Sequence, residues 1–171
     1  MRYYIHVIKN YANFKGRAGL SEYWMFTLFN FIFEFATRLL DYLLGDYPTN
    51  PISGENFTFG YINLVYAIFV FLPGLAVFVR RLHDIGKSGE FAIWTFLAFF
   101  AIEALAMFSN FLIRNPILIL ALVILIGLAF GIWFIVLMCT ASVPGPNKWG
   151  PNPNGIGNEE VPEITDDSAT E

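Results

Sequence analysis

The chain has 171 residues, 56% hydrophobic and 14% charged, with 19 Phe and a formal net charge of -4. A soluble domain carries roughly a quarter charged residues, so a water-soluble globule is not expected, and neither is low-complexity disorder over most of the chain. The negative charge is local: 158–171 holds six acidic residues and no Lys or Arg, which leaves a body at +2 without the basic stripe that nucleic acid requires.

Arg2 to Ala12 reads as a short amphipathic helix. At 100° per residue Tyr4, Val7, Ile8 and Tyr11 share one face, and Arg2, His6, Lys9 and Asn10 take the other. Such a helix suits the headgroup layer of a membrane, and equally suits a cap packed beneath a bundle. The first twenty residues lack the apolar core and small-residue cleavage site of a secretory signal. Gly16 and Gly19 then interrupt the helix, Ser21 is expected as the next N-cap, and Glu22 favours the first turn. Tyr23 and Trp24 sit where an aromatic belt belongs.

Four apolar stretches follow, at about 22–44, 60–79, 91–109 and 116–140, each near the ~20 residues a helix needs to cross hydrocarbon. No alternating pattern of a membrane barrel is present. The expected fold is therefore all-α: a polytopic membrane protein with four transmembrane helices and a short N-terminal interfacial helix. Its divisions are 1–19 as interfacial helix and linker, 20–143 as the bundle, 144–157 as a Pro/Gly/Asn loop, and 158–171 as an acidic disordered tail. The turn-rich connector after the first span contains Asn56-Phe57-Thr58, which has the form of a glycosylation acceptor. Pro73 is expected to kink the second span, and Gly127-Leu128-Ala129-Phe130-Gly131 in the fourth fits close helix contact, within the monomer or in a homo-oligomer.

Positive charge sets the orientation. Arg2, Lys9, Lys15, Arg17, Arg80, Arg81, Lys87 and Lys148 fall on one side of the four spans, and Arg114 alone falls in a loop on the other. Both termini are therefore expected to be cytoplasmic.

The first span carries a polar stripe. Tyr23, Thr27, Asn30, Glu34, Arg38 and Asp41 lie within about 80° on a helical wheel. A bare charge at a helix centre costs roughly 2.5–3.5 kcal/mol by insertion scales, so the stripe should face protein or water. Glu34 and Arg38 are spaced for an ion pair. Glu34 lies about 18 Å into its span, and Glu103 lies at a similar depth in the third. Asn30, Glu34, Arg38, Asp41, Asn63 and Glu103 are therefore expected to form an intramembrane polar cluster, either a proton or cation site or an internal network that fixes helix register.

The segment from Arg80 to Gly89 is the densest polar loop. Gly86-Lys87-Ser88 resembles the end of a phosphate-binding loop, but Arg81 stands where that loop needs Gly. His83-Asp84 lacks the further histidines of a metal site, since only His6 remains, and Cys139 is the single cysteine. No nucleophile with an oxyanion hole accompanies His83. No catalytic residue, metal or cofactor is expected.

Three segments carry a family likeness: Phe14-Lys15-Gly16-Arg17 leading to Glu22-Tyr23-Trp24, then Arg80-Arg81-Leu82-His83-Asp84, then Pro144-Gly145-Pro146-Asn147-Lys148-Trp149-Gly150-Pro151. With their spacing they cover about residues 1–153, and the chain resembles the bacterial inner-membrane proteins grouped as "domain of unknown function 805". The resemblance implies a small multi-span inner-membrane protein and brings no activity with it. All three segments belong to the cytoplasmic side, which places the expected functional surface there.

The leading expectation is a non-enzymatic membrane module. It would bind a protein partner or anionic lipid through Arg17, Arg80, Arg81, His83, Asp84 and Trp149, whose segments are expected to pack together. The alternative is a small oligomeric proton- or cation-linked transporter or channel using the intramembrane Glu/Arg cluster.

Overall fold

A computed structural model describes residues 1–45, 47–49, 59–112 and 116–158, with the backbone alone at 103, 105–112 and 116–120. The acidic tail beyond 158 and the Asn56 tripeptide lie outside the described residues, as does Arg114. Five helices occur among the described residues: α1 (Arg2–Lys9), α2 (Leu20–Leu44), α3 (Tyr61–Asp84), α4 (Glu90–Leu112) and α5 (Pro116–Cys139). Among the described residues there is no β-sheet; an isolated bridge joins Asn147 and Gly150. Two helices, Tyr61–Asp84 and Ala121–Cys139, are long and apolar enough to cross a membrane, and Glu90–Ile102 is a shorter apolar helix.

The helix ends follow local chemistry. Ser21 does not cap α2; the helix starts earlier, with Gly19 as an extended N-cap whose carbonyl accepts from Tyr23 N–H. Gly19 is placed there because the preceding Ala18 N–H donates to the Arg80 carbonyl at 3.0 Å. At the other end Gly45 takes φ 66°, the left-handed conformation that lets its N–H return to the Asp41 carbonyl. α3 continues through Pro73, which is fully buried, and runs past Val79 to Asp84 because Arg80, Arg81 and Asp84 find protein partners.

α3 is the central element. It packs against α2 on one side and α4 on the other, with α5 on α4 and α1 against both α2 and α3. Every residue from Ala76 to Asp84 is buried, so the core lies at the end of the bundle that carries the basic residues. Val7, Ala18, Tyr23, Phe26, Leu82 and Met138 close around it. Elsewhere large apolar side chains face outward: Phe31 is 68% exposed, Phe35 64% and Ile132 63%. In water these would be costly; a hydrocarbon solvent removes the penalty.

Of the two placements expected for α1, the structure shows the packed cap. Its apolar face meets protein. Val7 is fully buried, and the Tyr4 ring stacks on Phe26 with centroids 5.4 Å apart and lies 5.2 Å from Phe33. The Tyr4 hydroxyl lies 3.4 Å from that of Tyr66, which in turn donates to Asn30 Oδ1 at 2.8 Å. Asn30 is ten residues into α2, so α1 reaches about 15 Å along the bundle. Apolar area and a tyrosine pair decide this packing; the wheel of α1 alone could not show which surface its apolar face would meet.

Candidate functional site

The three segments singled out in the sequence converge on the buried end of α3. Asp84 is the hub. Arg17 Nε donates to Asp84 Oδ1 at 3.0 Å, while Arg81 Nη1 and Ser142 Oγ each donate to Oδ2 at 2.5 Å. The side chains of Arg17, Arg81 and Asp84 are 1%, 0% and 0% exposed. Two guanidiniums against one carboxylate leave an excess positive charge, and backbone carbonyls offset it. Arg81 Nε and Nη2 donate to the Met138 carbonyl at 3.2 and 3.1 Å, and Nη2 also donates to the Thr140 carbonyl. These acceptors lie at the C-terminal end of α5, where carbonyls lack intrahelical partners and the helix dipole favours a cation. Arg17 does the same for the following turn, with Nη2 to Val143 O at 2.6 Å and Nη1 to Gly145 O at 2.7 Å.

His83 forms the outer layer. Its ring stacks on Trp149 at 4.5 Å and 9°, and Nδ1 lies 3.1 Å from the Gly16 carbonyl. Asn147 holds the stack from both sides, donating Nδ2 to His83 O at 3.0 Å and accepting the Trp149 N–H at 2.9 Å. Lys148 Nζ sits 4.3 Å from the Trp149 ring centroid. Asn152, also buried, donates to Val143 O at 2.9 Å and closes the turn.

Arg80 differs from Arg81. Its Nη1 pairs with Glu22 Oε1 at 2.6 Å, but Nε and Nη2 are buried without a partner among the described residues.

The structure therefore brings Arg17, Arg80, Arg81, His83, Asp84 and Trp149 together, and turns all but Trp149 inward. The segments pack together as expected, with five of the six side chains buried. Burying a charge requires partners: Ser142 supplies one to Asp84 and backbone carbonyls supply the rest to Arg17 and Arg81, while Asn147 and Asn152 hold the turn through the carbonyls of His83 and Val143. What this end exposes instead is lysine. Lys15, Lys87 and Lys148 are exposed, and each lies beside the cap. Lys15 precedes Gly16, Lys148 precedes Trp149, and the Lys87 N–H donates to Leu82 O at 2.8 Å.

The second expected cluster is divided. Asp41 is fully buried and accepts the N–H groups of Ile62 at 3.0 Å and Asn63 at 2.9 Å, so it caps α3 from the neighbouring helix. Asn63 Nδ2 donates to Thr37 Oγ1 at 3.1 Å, and Thr37 donates to the Glu34 carbonyl. Glu34 and Arg38 form their i,i+4 pair at 2.8 Å, with side chains 40% and 57% exposed. Asn30 joins Tyr66 instead. The Glu103 side chain lies outside the described residues.

Between α2, α3, α4 and α5 lies a cavity of about 700 Å³. Its polar lining comes from Tyr23, Thr27, Asn30, Glu34, Tyr66 and Thr95. Aromatic rings, including Phe26, Phe78, Phe96 and Phe134, form much of the remainder. Among the described residues no group of three His, Cys, Asp or Glu is placed to hold a metal ion.

Residues 11–151 match the model of the family described as "Protein of unknown function (DUF805)". The chain is 38% identical over 153 residues to "Inner membrane protein YhaH" of Escherichia coli (strain K12), covering 90% of this chain and 97% of that protein. It is 37% identical over 156 residues to "Inner membrane protein YhaI" of the same strain, covering 90% and 96%. No solved structure matches.

Proposed function

The chain belongs to the DUF805 family of proteins of unknown function, and from its inner-membrane relatives we propose that it is a bacterial inner-membrane protein that holds anionic lipid at its cytoplasmic face. In this reading α2, α3, α4 and α5 all span the bilayer and both termini are cytoplasmic, in keeping with the eight-to-one distribution of Lys and Arg. The protein is a non-enzymatic module. Both carboxylate oxygens of Asp84 are engaged by donors, so in this reading the hub supports a shape.

One observation carries the proposal: Lys15, Lys87 and Lys148 flank a single rigid cap built on Asp84 and His83. Each lysine near an anionic surface contributes about 1 kcal/mol of attraction. The test is phosphatidylglycerol retained by the detergent-purified protein, counted by native mass spectrometry. The wild type should retain it over phosphatidylcholine, and a Lys15→Gln, Lys87→Gln, Lys148→Gln variant should lose that preference. Equal retention of both lipids by the wild type would remove lipid as the ligand, and a protein partner docking on the same lysines would then be the occupant to seek.

A second reading, a small oligomeric cation-linked transporter, is favoured by the position of Glu34 on the wall of the cavity. It predicts a cation flux in liposomes that Glu34→Gln abolishes.

A further inference from the structure

We propose that the cavity between α2, α3, α4 and α5 binds a lipophilic organic cation, an apolar body carrying a protonated or quaternary positive centre. The inference extends the transporter reading by naming what the cavity holds, and it does not depend on movement across the membrane.

Size and lining agree with a ligand site. The volume of about 700 Å³ lies within the range of small-molecule pockets, and such sites pair apolar walls with a few placed polar groups. Several of the polar groups here favour positive charge. Among the described lining residues Glu34 alone bears a charge. Arg38 holds its Oε1, leaving Oε2 without a hydrogen-bond partner among the described residues. Thr27 and Thr95 donate their hydroxyl protons to the carbonyls of Tyr23 and Phe91, each at 2.9 Å, so only their lone pairs remain for a ligand. Tyr66 donates to Asn30, which leaves the Asn30 amide and the Tyr23 hydroxyl as side-chain donors. Aromatic faces supply the rest, and they attract cations through the ring quadrupole. A lipid acyl chain would leave Glu34 Oε2 unanswered in an apolar site, and an anion would meet that carboxylate with only Arg38, already bound to its Oε1, to offset it.

The α5 wall offers a way to close the cavity without touching its polar groups. Gly127 and Gly131 line it, and a Cβ added at either would meet nothing within 4 Å. A larger side chain at Gly131 would occupy ligand space.

The experiment is equilibrium dialysis of the detergent-purified full chain with tetraphenylphosphonium and tetraphenylborate, ions of like shape and opposite charge, against protein-free micelles. Wild type should retain the cation and not the anion. Glu34→Gln and Gly131→Leu should each weaken cation binding about tenfold or more, which is about 1.4 kcal/mol. Ala129→Leu, which is exposed and does not line the cavity, should bind as wild type. Equal uptake of both ions would overturn the proposal, and so would cation binding unchanged by both Glu34→Gln and Gly131→Leu. If Glu34→Gln loses its helical circular dichroism, Gly131→Leu decides, since it removes no interaction. Cation binding without flux in liposomes keeps this site and removes only the transporter; absence of binding removes the site and leaves the lipid measurement untouched.

Discussion

Arg17 and Asp84, 67 residues apart in the chain, meet at 3.0 Å with both side chains withdrawn from solvent. Removing one partner of a buried ion pair leaves an uncompensated charge, which is worse than never having built the pair. Asp84→Asn strands two guanidiniums and should lower stability by about 3–5 kcal/mol in equilibrium unfolding from detergent. Arg80→Gln should cost less, about 1–3 kcal/mol, because two of the Arg80 nitrogens are already unpartnered. Equal losses for the two variants would count against Asp84 as the hub.

Asp41 and Gly60 are coupled by contact. A Cβ on Gly60 would fall 2.1 Å from Asp41 Cγ, so Gly60→Ala must displace the carboxylate that caps α3. Asp41→Ala alone should cost about 1–2 kcal/mol as a lost cap. In the double variant the overlap of the two Cβ atoms remains but the cap is lost only once, so the combined loss should fall short of the sum by roughly 0.5–3 kcal/mol. A double-mutant cycle by thermal unfolding measures this; strict additivity would mean that the two sites do not meet.

Tyr66 links α1 and α2 through hydrogen bonds near Tyr4 and to Asn30. Tyr66→Phe should destabilise by about 0.5–1.5 kcal/mol. Tyr4→Phe should cost less, since the ring contacts persist and its hydroxyl contact is long at 3.4 Å. Thermal unfolding reads the difference: only Tyr66→Phe also removes the bond between α3 and Asn30 of α2, so it should show the larger loss.

The helices were legible because apolar runs of membrane length leave few alternatives, and the observed helices begin and end near the expected spans. α3 outran its expected end at Val79 because the charged residues beyond it are bound by segments distant in sequence, and no local pattern reports that. The Glu34–Arg38 pair followed from i,i+4 spacing alone. The cap role of Asp41 did not, since its acceptors serve the N-terminus of another helix. The same cause hid the inward turn of Arg17 and Arg81. Their partners are mostly backbone carbonyls after α5, which carry no residue identity. The family likeness marked the segments, and the structure supplied the reason they occur together.

The central claim is that a residue near the N-terminus holds the turn after α5 in place. Limited trypsin digestion at Lys148 tests it, with cleavage at Lys87 in the same sample as reference, comparing wild type with Arg17→Gln. Arg17 donates to the carbonyls of Val143 and Gly145, and each such charge-assisted bond contributes about 1.5–3 kcal/mol. The account predicts cleavage at Lys148 faster by about tenfold or more in Arg17→Gln, with Lys87 cleavage little changed. An unchanged ratio of the two cleavage rates would contradict it.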